Sequence, residues 1–147
     1  MNEILVPISA GELLDKITIL RIKARRMQDP AKLDNVRREL QALERTGERA
    51  LGGAGAQAGA GGGGTLSAQV AALEQVNAAL WDIEDRIREH EAAQRFDAAF
   101  IELARAVYLR NDERAAIKRR INLALGSKLI EEKSYRPYGV RPEPPAG

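Results

Sequence analysis

Cysteine is absent from this chain of 147 residues, histidine and tryptophan occur once each, and aromatic residues make up 4% of the sequence. Without cysteine the chain cannot form a disulfide, a thiol nucleophile or a cysteine-built zinc or iron–sulfur site. Because His90 is the only histidine, neither a Ser-His-Asp triad nor a histidine-rich metal centre within one chain is expected. The composition therefore predicts no metal and no cofactor.

Long hydrophobic runs are also absent. The longest is the five-residue stretch from Ile4 to Ile8, whereas a helix that crosses a bilayer needs about 20 apolar residues. The first three residues, Met1, Asn2 and Glu3, begin with an acid where a signal peptide would carry a basic region and a long apolar segment. We therefore expect no membrane span and a cytoplasmic location.

Net charge is small, at +2 from 23 basic and 21 acidic residues, which does not favour a nucleic-acid-binding protein. Near the C-terminus, Tyr135, Arg136, Tyr138 and Arg141 alternate aromatic and cationic side chains, a pattern that sometimes grips single-stranded nucleic acid. Four residues form a weak signal. We favour docking of the two tyrosines onto the rest of the protein, and binding of nucleic acid is not expected.

Apolar residues recur at intervals of three and four in four segments, which predicts four helices. Ser9 and Glu12 form a capping-box pattern at the start of the first helix, and Asp29 with Pro30 indicates a tight turn into the second. The predicted helices run from about Ala10 to the Asp29-Pro30 turn, from Pro30 to about Arg49, from about Ser67 to about Ala93, and from Asp97, as N-cap, to Gly126.

The pattern predicts an all-α fold of two antiparallel helical hairpins, with the second pair longer than the first. Residues 52–64 consist of Gly, Ala and one Gln, so we expect a flexible linker within a single domain that spans residues 1–139. The proline-rich residues 140–147 are expected to be disordered. The flanks are β-prone, and residues 4–6 are expected to be extended and able to pair with residues 128–131.

Seven segments resemble a family of bacterial proteins catalogued as domain-of-unknown-function family 6165. They are EILVP at 3–7, GELLDKITIL at 11–20, NVRREL at 35–40, LWDIED at 80–85, FIELA at 100–104, NDER at 111–114 and EEKSY at 131–135. The resemblance covers nearly the whole chain except the linker and the last eight residues. The resemblance implies no activity, cofactor or catalytic residue, but it implies a link with envelope polysaccharide synthesis.

A row of cations, Arg110, Arg114 and Lys118, recurs every four residues on the fourth helix. If the third and fourth helices pair around residues 94–97, Arg110 lies opposite Trp81 and Asp82. Lys118 would lie opposite Glu74 and Arg105 opposite Asp85, as complementary surface charges. These pairings leave Arg114 as the exception, because the facing zone around Asn77 contains amides and alanines.

Two hypotheses account for Arg114. The first is a buried ion pair with Asp15 or Glu12 of the first helix. The second is an anionic ligand, a phosphate or a carboxylate, held by Arg114 with Asn111 and Lys118. The residues kept as candidates for such a site are Arg114, Asn111, Lys118, Arg110, Asn77, Trp81, Glu84, Asp15 and Lys16.

Simpler interpretations also apply to several of these residues. Asp15 and Lys16 most simply face water, and Trp81, on the same face as Glu84, most simply packs at the edge of the bundle. Thr18 is expected to hydrogen-bond to its own helix. His90 is expected to be a surface residue near a helix C-terminus.

The leading hypothesis for function is a non-catalytic helical module that binds a partner protein or a second copy of itself. The longer second hairpin would leave apolar surface that such a partner covers. The alternative is a small helical-bundle enzyme or binder that acts on a small anionic ligand by electrostatic positioning.

Overall fold

The structure, a computed structural model, describes residues 3–52 and 65–138. It contains four helices, α1 (Ala10–Arg26), α2 (Pro30–Leu51), α3 (Leu66–Ala92) and α4 (Ala98–Ala124), and no strand within the described residues. The predicted all-α class is confirmed. The expected disordered tail at 140–147, and the expected linker after Gly52, lie outside the described residues.

Each helix begins at a side chain that accepts a hydrogen bond from a backbone N–H of the first turn. Ser9 and Asp97 cap α1 and α4 as the sequence predicts, and Thr65 caps α3 slightly ahead of the predicted start. The capping box at α1 is only half formed, because the Glu12 carboxylate binds Lys118 of α4. Gly126 follows α4 with a φ of +62°, the left-handed conformation that suits glycine after a helix.

Helix α1 lies at the centre of the fold, since it packs against each of the other three helices. It runs antiparallel to α4: Gly11 contacts Asn122, and four residues further along α1, Asp15 contacts Arg114. The approach is close at Gly11, whose N–H donates to Asn122 Oδ1 at 2.6 Å. A Cβ atom at Gly11 would lie 2.6 Å from the Lys118 carbonyl oxygen, so this contact requires glycine.

The hydrophobic core joins α1 to the α3–α4 pair. It is built from buried aliphatic side chains, each of which contributes about 1.5–3 kcal/mol when fully removed from water. Its central cluster comprises Leu73, Val76, Leu80, Ile117 and Ile121, with Ala10 and Leu14 of α1 packed against it. At their far end α3 and α4 extend past α1, and Phe96 and Ile101 there stay about half exposed.

The predicted charge pairs between α3 and α4 are wrong. Glu74 and Asp82 of α3 pair instead with Arg25 and Arg26 at the end of α1. Arg110 of α4 pairs with Glu113 of its own helix at 2.8 Å. The assumption that α3 and α4 satisfy each other's charges fails because α1 lies beside both helices and carries its own cations.

Two further expectations need correction. Residues 4–6 and 128–131 do not form strands, although Ile8 and Leu129 line one shallow depression. His90 is buried, because its ring packs near Phe100 with centroids 6.1 Å apart. Its Nδ1 lies 2.9 Å from the Arg95 carbonyl oxygen, and since a carbonyl only accepts, this nitrogen carries the proton.

Candidate functional site

Five charged residues meet where α1 crosses α4, and we call them the ionic cluster: Glu12, Asp15, Arg114, Lys118 and Glu131. The carboxylates of α1 are three residues apart and the cations of α4 four apart, so each pair lies on one face of its helix. Because the helices are antiparallel, the two faces meet. Glu131 joins from the extended chain after α4.

Asp15 is the most deeply buried member, with 1% of its surface exposed. Arg114 donates to both of its carboxylate oxygens, through Nε at 2.9 Å and through Nη2, a bidentate arrangement that strengthens the pair. Asn77 Nδ2 donates to Asp15 Oδ1 at 2.9 Å. Burial alone would raise the pKa of Asp15, but the hydrogen bonds from Arg114 and Asn77 and the nearby cations outweigh it, so this pKa is lowered.

The structure thus confirms the expected ion pair between Arg114 and Asp15, and it overturns the interpretation that Asp15 faces water. Lys16, its neighbour, is exposed. Thr18 donates to the Asp15 carbonyl at 2.8 Å as expected of a helical threonine, and its Oγ1 also accepts from Asn77 at 3.0 Å. Asn77 therefore links α3 to the polar side of α1.

Lys118 is buried and is surrounded by three carboxylates. Its Nζ lies 2.7 Å from Glu12, 2.9 Å from Glu131 and 3.7 Å from Asp15. Burial would lower the pKa of Lys118, but these acidic partners outweigh that effect and raise it. Glu131 also accepts from Lys133 at 2.7 Å, and the hydrogen bonds from Lys133 and Lys118 lower the pKa of Glu131 to about 2.

Residues 127–138 pack over α4 without forming a helix or a strand, with a bend at Lys128, and we call them the C-terminal strap. Besides Glu131, it is held by Glu132, which pairs with Arg119 at 2.9 Å. Near its end the Tyr138 hydroxyl donates to Asp112, and the Tyr138 ring lies 4.9 Å from that of Tyr108. The prediction that both tail tyrosines dock is half right. Tyr135 stays exposed, and Arg141 lies outside the described residues.

An open groove of about 570 Å³ lies between α4 and the strap. Its walls carry the tyrosines Tyr108, Tyr135 and Tyr138, and Arg114 and Asn111 are among the α4 residues that line it. Arg114 is 28% exposed there, and its Nη1 has no hydrogen-bond partner within the described residues. The Asn111 amide has none there either.

The remaining candidate residues contact partners other than the ionic cluster. Arg110 pairs with Glu113, Glu84 pairs with Arg88 at 3.1 Å, and Trp81 lies 6.0 Å from the Arg26 guanidinium. The structure therefore brings Arg114, Lys118, Asp15, Asn77 and Asn111 to one region. It leaves Arg110, Glu84 and Trp81 to other contacts and Lys16 exposed.

Sequence reasoning missed the strap's contribution to this region. Glu131, Lys133 and Tyr135 belong to an extended segment, whose pairing with a helix leaves no periodic pattern in the sequence. Within residues 3–52 and 65–138, the acidic side chains and His90 form no group of three that is arranged to hold a metal ion. In the same ranges no helix is long and apolar enough to cross a membrane.

Comparison of the chain with protein-family models, with curated proteins and with solved structures finds no match. The resemblance to domain-of-unknown-function family 6165 therefore stays an expectation from the sequence.

Proposed function

We propose that this protein is a non-catalytic helical module that binds an extended peptide segment of a partner protein in the groove between α4 and the C-terminal strap. One observation carries this proposal: the cations at the groove are paired with carboxylates within the chain, while donors without a partner and tyrosine rings are left to meet a ligand.

The charges at the groove favour an uncharged ligand. Each cation at the groove lies within 3 Å of a carboxylate: Arg114 of Asp15, Lys118 of Glu12 and Glu131, and Lys133 of Glu131. The formal charges of these six groups therefore cancel. Asp112, which also lines the groove, adds one negative charge. A phosphate or dicarboxylate would therefore have to displace an internal carboxylate, at the cost of a buried ion pair.

The donors and aromatic rings of the groove suit a peptide. The Asn111 amide and Arg114 Nη1 are donors without partners among the described residues, and backbone carbonyls of an extended segment are acceptors that need no charge. Tyrosine rings pack well against proline and aliphatic side chains, as in the aromatic-lined grooves that bind extended proline-rich segments. We therefore expect a ligand with exposed backbone and with proline or aliphatic residues.

The titration behaviour of the site supports a non-catalytic role. A general acid or base works best with a pKa near the working pH. Here the pKa values of Asp15 and Glu131 are lowered, and those of Arg114 and Lys118 are raised. All four groups are thus shifted away from neutrality, which suits a fixed scaffold better than proton transfer.

The alternative from the sequence, binding of a small anionic ligand, is favoured by one feature, the exposed Arg114 Nη1 in the groove. It is the second candidate because that guanidinium already holds Asp15 in a bidentate pair. A link with envelope polysaccharide synthesis and a cytoplasmic location stay expectations of the sequence, and a partner protein from that process would fit the present proposal.

Selection from a phage-displayed library of random linear peptides tests the proposal. Selected peptides are expected to lose at least about tenfold in affinity, or about 1.4 kcal/mol, for Asn111→Ala and for Tyr135→Ala. Arg110→Ala is the matched control, since this residue precedes Asn111 on α4 and pairs away from the cluster. Peptides that bind all three variants equally, or a library that yields no binder, would overturn the proposal.

A further inference from the structure

The residues before α1 form an exposed apolar arm, which we define as residues 3–8. Three consecutive side chains stand in water along it: Ile4 is 76% exposed, Leu5 is 89% exposed and Val6 is 67% exposed. Within the described part of the chain, no backbone–backbone hydrogen bond involves residues 3–8. The arm is thus β-prone in composition and lies outside any helix or strand, and no strand lies beside it within the described residues.

A second segment has the same properties. Residues 128–131 of the C-terminal strap also lie outside any helix or strand, with a bend at Lys128. Leu129 is 45% exposed, and these residues make no backbone–backbone hydrogen bond in the described ranges. Only side-chain bonds hold this part of the strap, such as that from Ser127 Oγ to the Leu129 carbonyl at 2.8 Å. Apart from the Leu129 carbonyl, the backbone donors and acceptors of residues 128–131 have no backbone partner within the described residues and can bind another chain.

Both segments leave the bundle at one corner. The Ala10 N–H donates to Ser127 Oγ at 3.3 Å, and Ile8 and Leu129 line one shallow depression. The segments therefore begin as neighbours but do not pair with each other. One chain therefore carries both halves of a short β-ladder, and within the described residues neither half has a backbone hydrogen-bond partner.

We propose that two copies of this chain associate by reciprocal strand exchange, in which residues 4–6 of one copy pair with residues 128–131 of the other. The partner is a second copy of the same chain, because each copy carries both segments and so can offer the arm of the other copy its strap, and the strap its arm. Reciprocal exchange closes with two-fold symmetry, the commonest symmetry of homodimers. Pro7 has no N–H to donate, so it ends the ladder next to α1.

The exchange would cover the exposed arm with main-chain hydrogen bonds, as in other cases of strand addition. Unpaired strands with apolar side chains are templates for such pairing. Of the residues in this ladder only Glu131 also lines the tyrosine-lined groove, and the inference does not depend on the proposed function.

The absence of cysteine permits a direct test on the full chain. Leu5→Cys and Leu129→Cys are made in separate chains, mixed and oxidised, so that any disulfide between them joins two copies. The mixture is expected to form a covalent dimer at least about tenfold faster than a mixture of Leu5→Cys with Glu91→Cys, because Glu91 is exposed near the end of α3, at the far end of the bundle. Equal rates in the two mixtures would overturn the proposal.

Light scattering after size-exclusion chromatography provides the second measurement. The unmodified chain is expected to be a dimer at micromolar concentration. Leu5→Pro removes a ladder donor and is expected to weaken the dimer at least about tenfold, the equivalent of about 1.4 kcal/mol, while circular dichroism stays helical. A monomeric unmodified chain would overturn the proposal, as would a dimer that Ile101→Ser at the far end of α4 disrupts and Leu5→Pro does not.

Discussion

The ion pair between Asp15 and Arg114 gives a prediction whose size depends on which partner is removed. Arg114→Met leaves a carboxylate that is 1% exposed, with only the Asn77 amide and the more distant Lys118 ammonium near it. Removing one partner of a buried pair typically costs about 3–5 kcal/mol. We expect Arg114→Met to fall in that range, because Asp15 has no route to water.

The reverse change is expected to cost less. In Asp15→Leu the unpaired group is the Arg114 guanidinium, which is 28% exposed and can turn into the groove and meet water. We expect a loss of about 3 kcal/mol, the lower end of the same range. In the double variant neither charge remains, so its loss is expected to be smaller than that of either single change.

Urea unfolding followed by circular dichroism measures these differences, and its dependence on pH provides a second check. In the unmodified protein the pKa of Asp15 is lowered, so its contribution is complete above the unfolded value, about 3.9, and is lost as pH falls through the folded value. In Arg114→Met, burial is expected to dominate and to raise that pKa. The variant is then expected to regain stability relative to the unmodified protein as pH falls from 7 to about 4.

Three results would refute this account of the pair. The first is a loss below about 1 kcal/mol for both single variants, which is the range of exposed ion pairs. The second is a double variant whose loss equals the sum of the single losses, since this would show that the two side chains do not interact. The third is a stability difference that does not change between neutral pH and pH 4.

Two further predictions concern other contacts of α4. Gly11→Ala is expected to cost about 1–3 kcal/mol through overpacking, since the new Cβ would meet the backbone of α4 at 2.6 Å. Gly47→Ala is the control: the nearest atom to its new Cβ is 3.5 Å away, so this change is expected to stabilise α2 by about 0.5–1 kcal/mol. Thermal unfolding that ranks the two variants the other way would contradict this. Glu131→Gln is expected to make the strap more sensitive to trypsin at Lys133 than Glu132→Gln does. Because the pKa of Glu131 is about 2, the contribution of Glu131 to holding the strap is complete above about pH 4.5 and is lost only as pH falls through about 2. Equal cleavage of the two variants, or a strap that detaches from α4 near pH 4 in NMR spectra, would argue against this anchoring role.

The helices follow from the sequence because their signals are local. Ser9, Asp29 and Asp97 cap the helices that were predicted to begin after them, and Gly126 has the positive φ expected beyond α4. The ion pair of Arg114 with Asp15 was also predicted, since a cation at an apolar interface without a facing carboxylate needs a partner. Both inferences rest on neighbours in sequence or on a single charge imbalance.

The parts that failed depend on contacts between distant segments. The charge pairs of α3 were misassigned because periodicity does not show that α1 runs beside both α3 and α4. Asp15 was expected to face water together with Lys16, although residues one apart on a helix point in different directions. The strap has no repeating pattern, so the pairing of Glu131 with Lys118 was found only in the structure, although docking of the two tail tyrosines was expected.

The central claim is that the ionic cluster pairs its own cations and leaves a groove without excess positive charge for a peptide. Proton–nitrogen correlation spectra that record the Arg114 Nε–H and the Asn111 side-chain amide test it most directly, with inorganic phosphate and a library-selected peptide as separate titrants. The account predicts that the peptide shifts the Asn111 amide while Arg114 Nε–H stays hydrogen-bonded, and that phosphate moves neither signal. A saturable shift of Arg114 Nε–H by millimolar phosphate, with no response of Asn111 to the peptide, would contradict it.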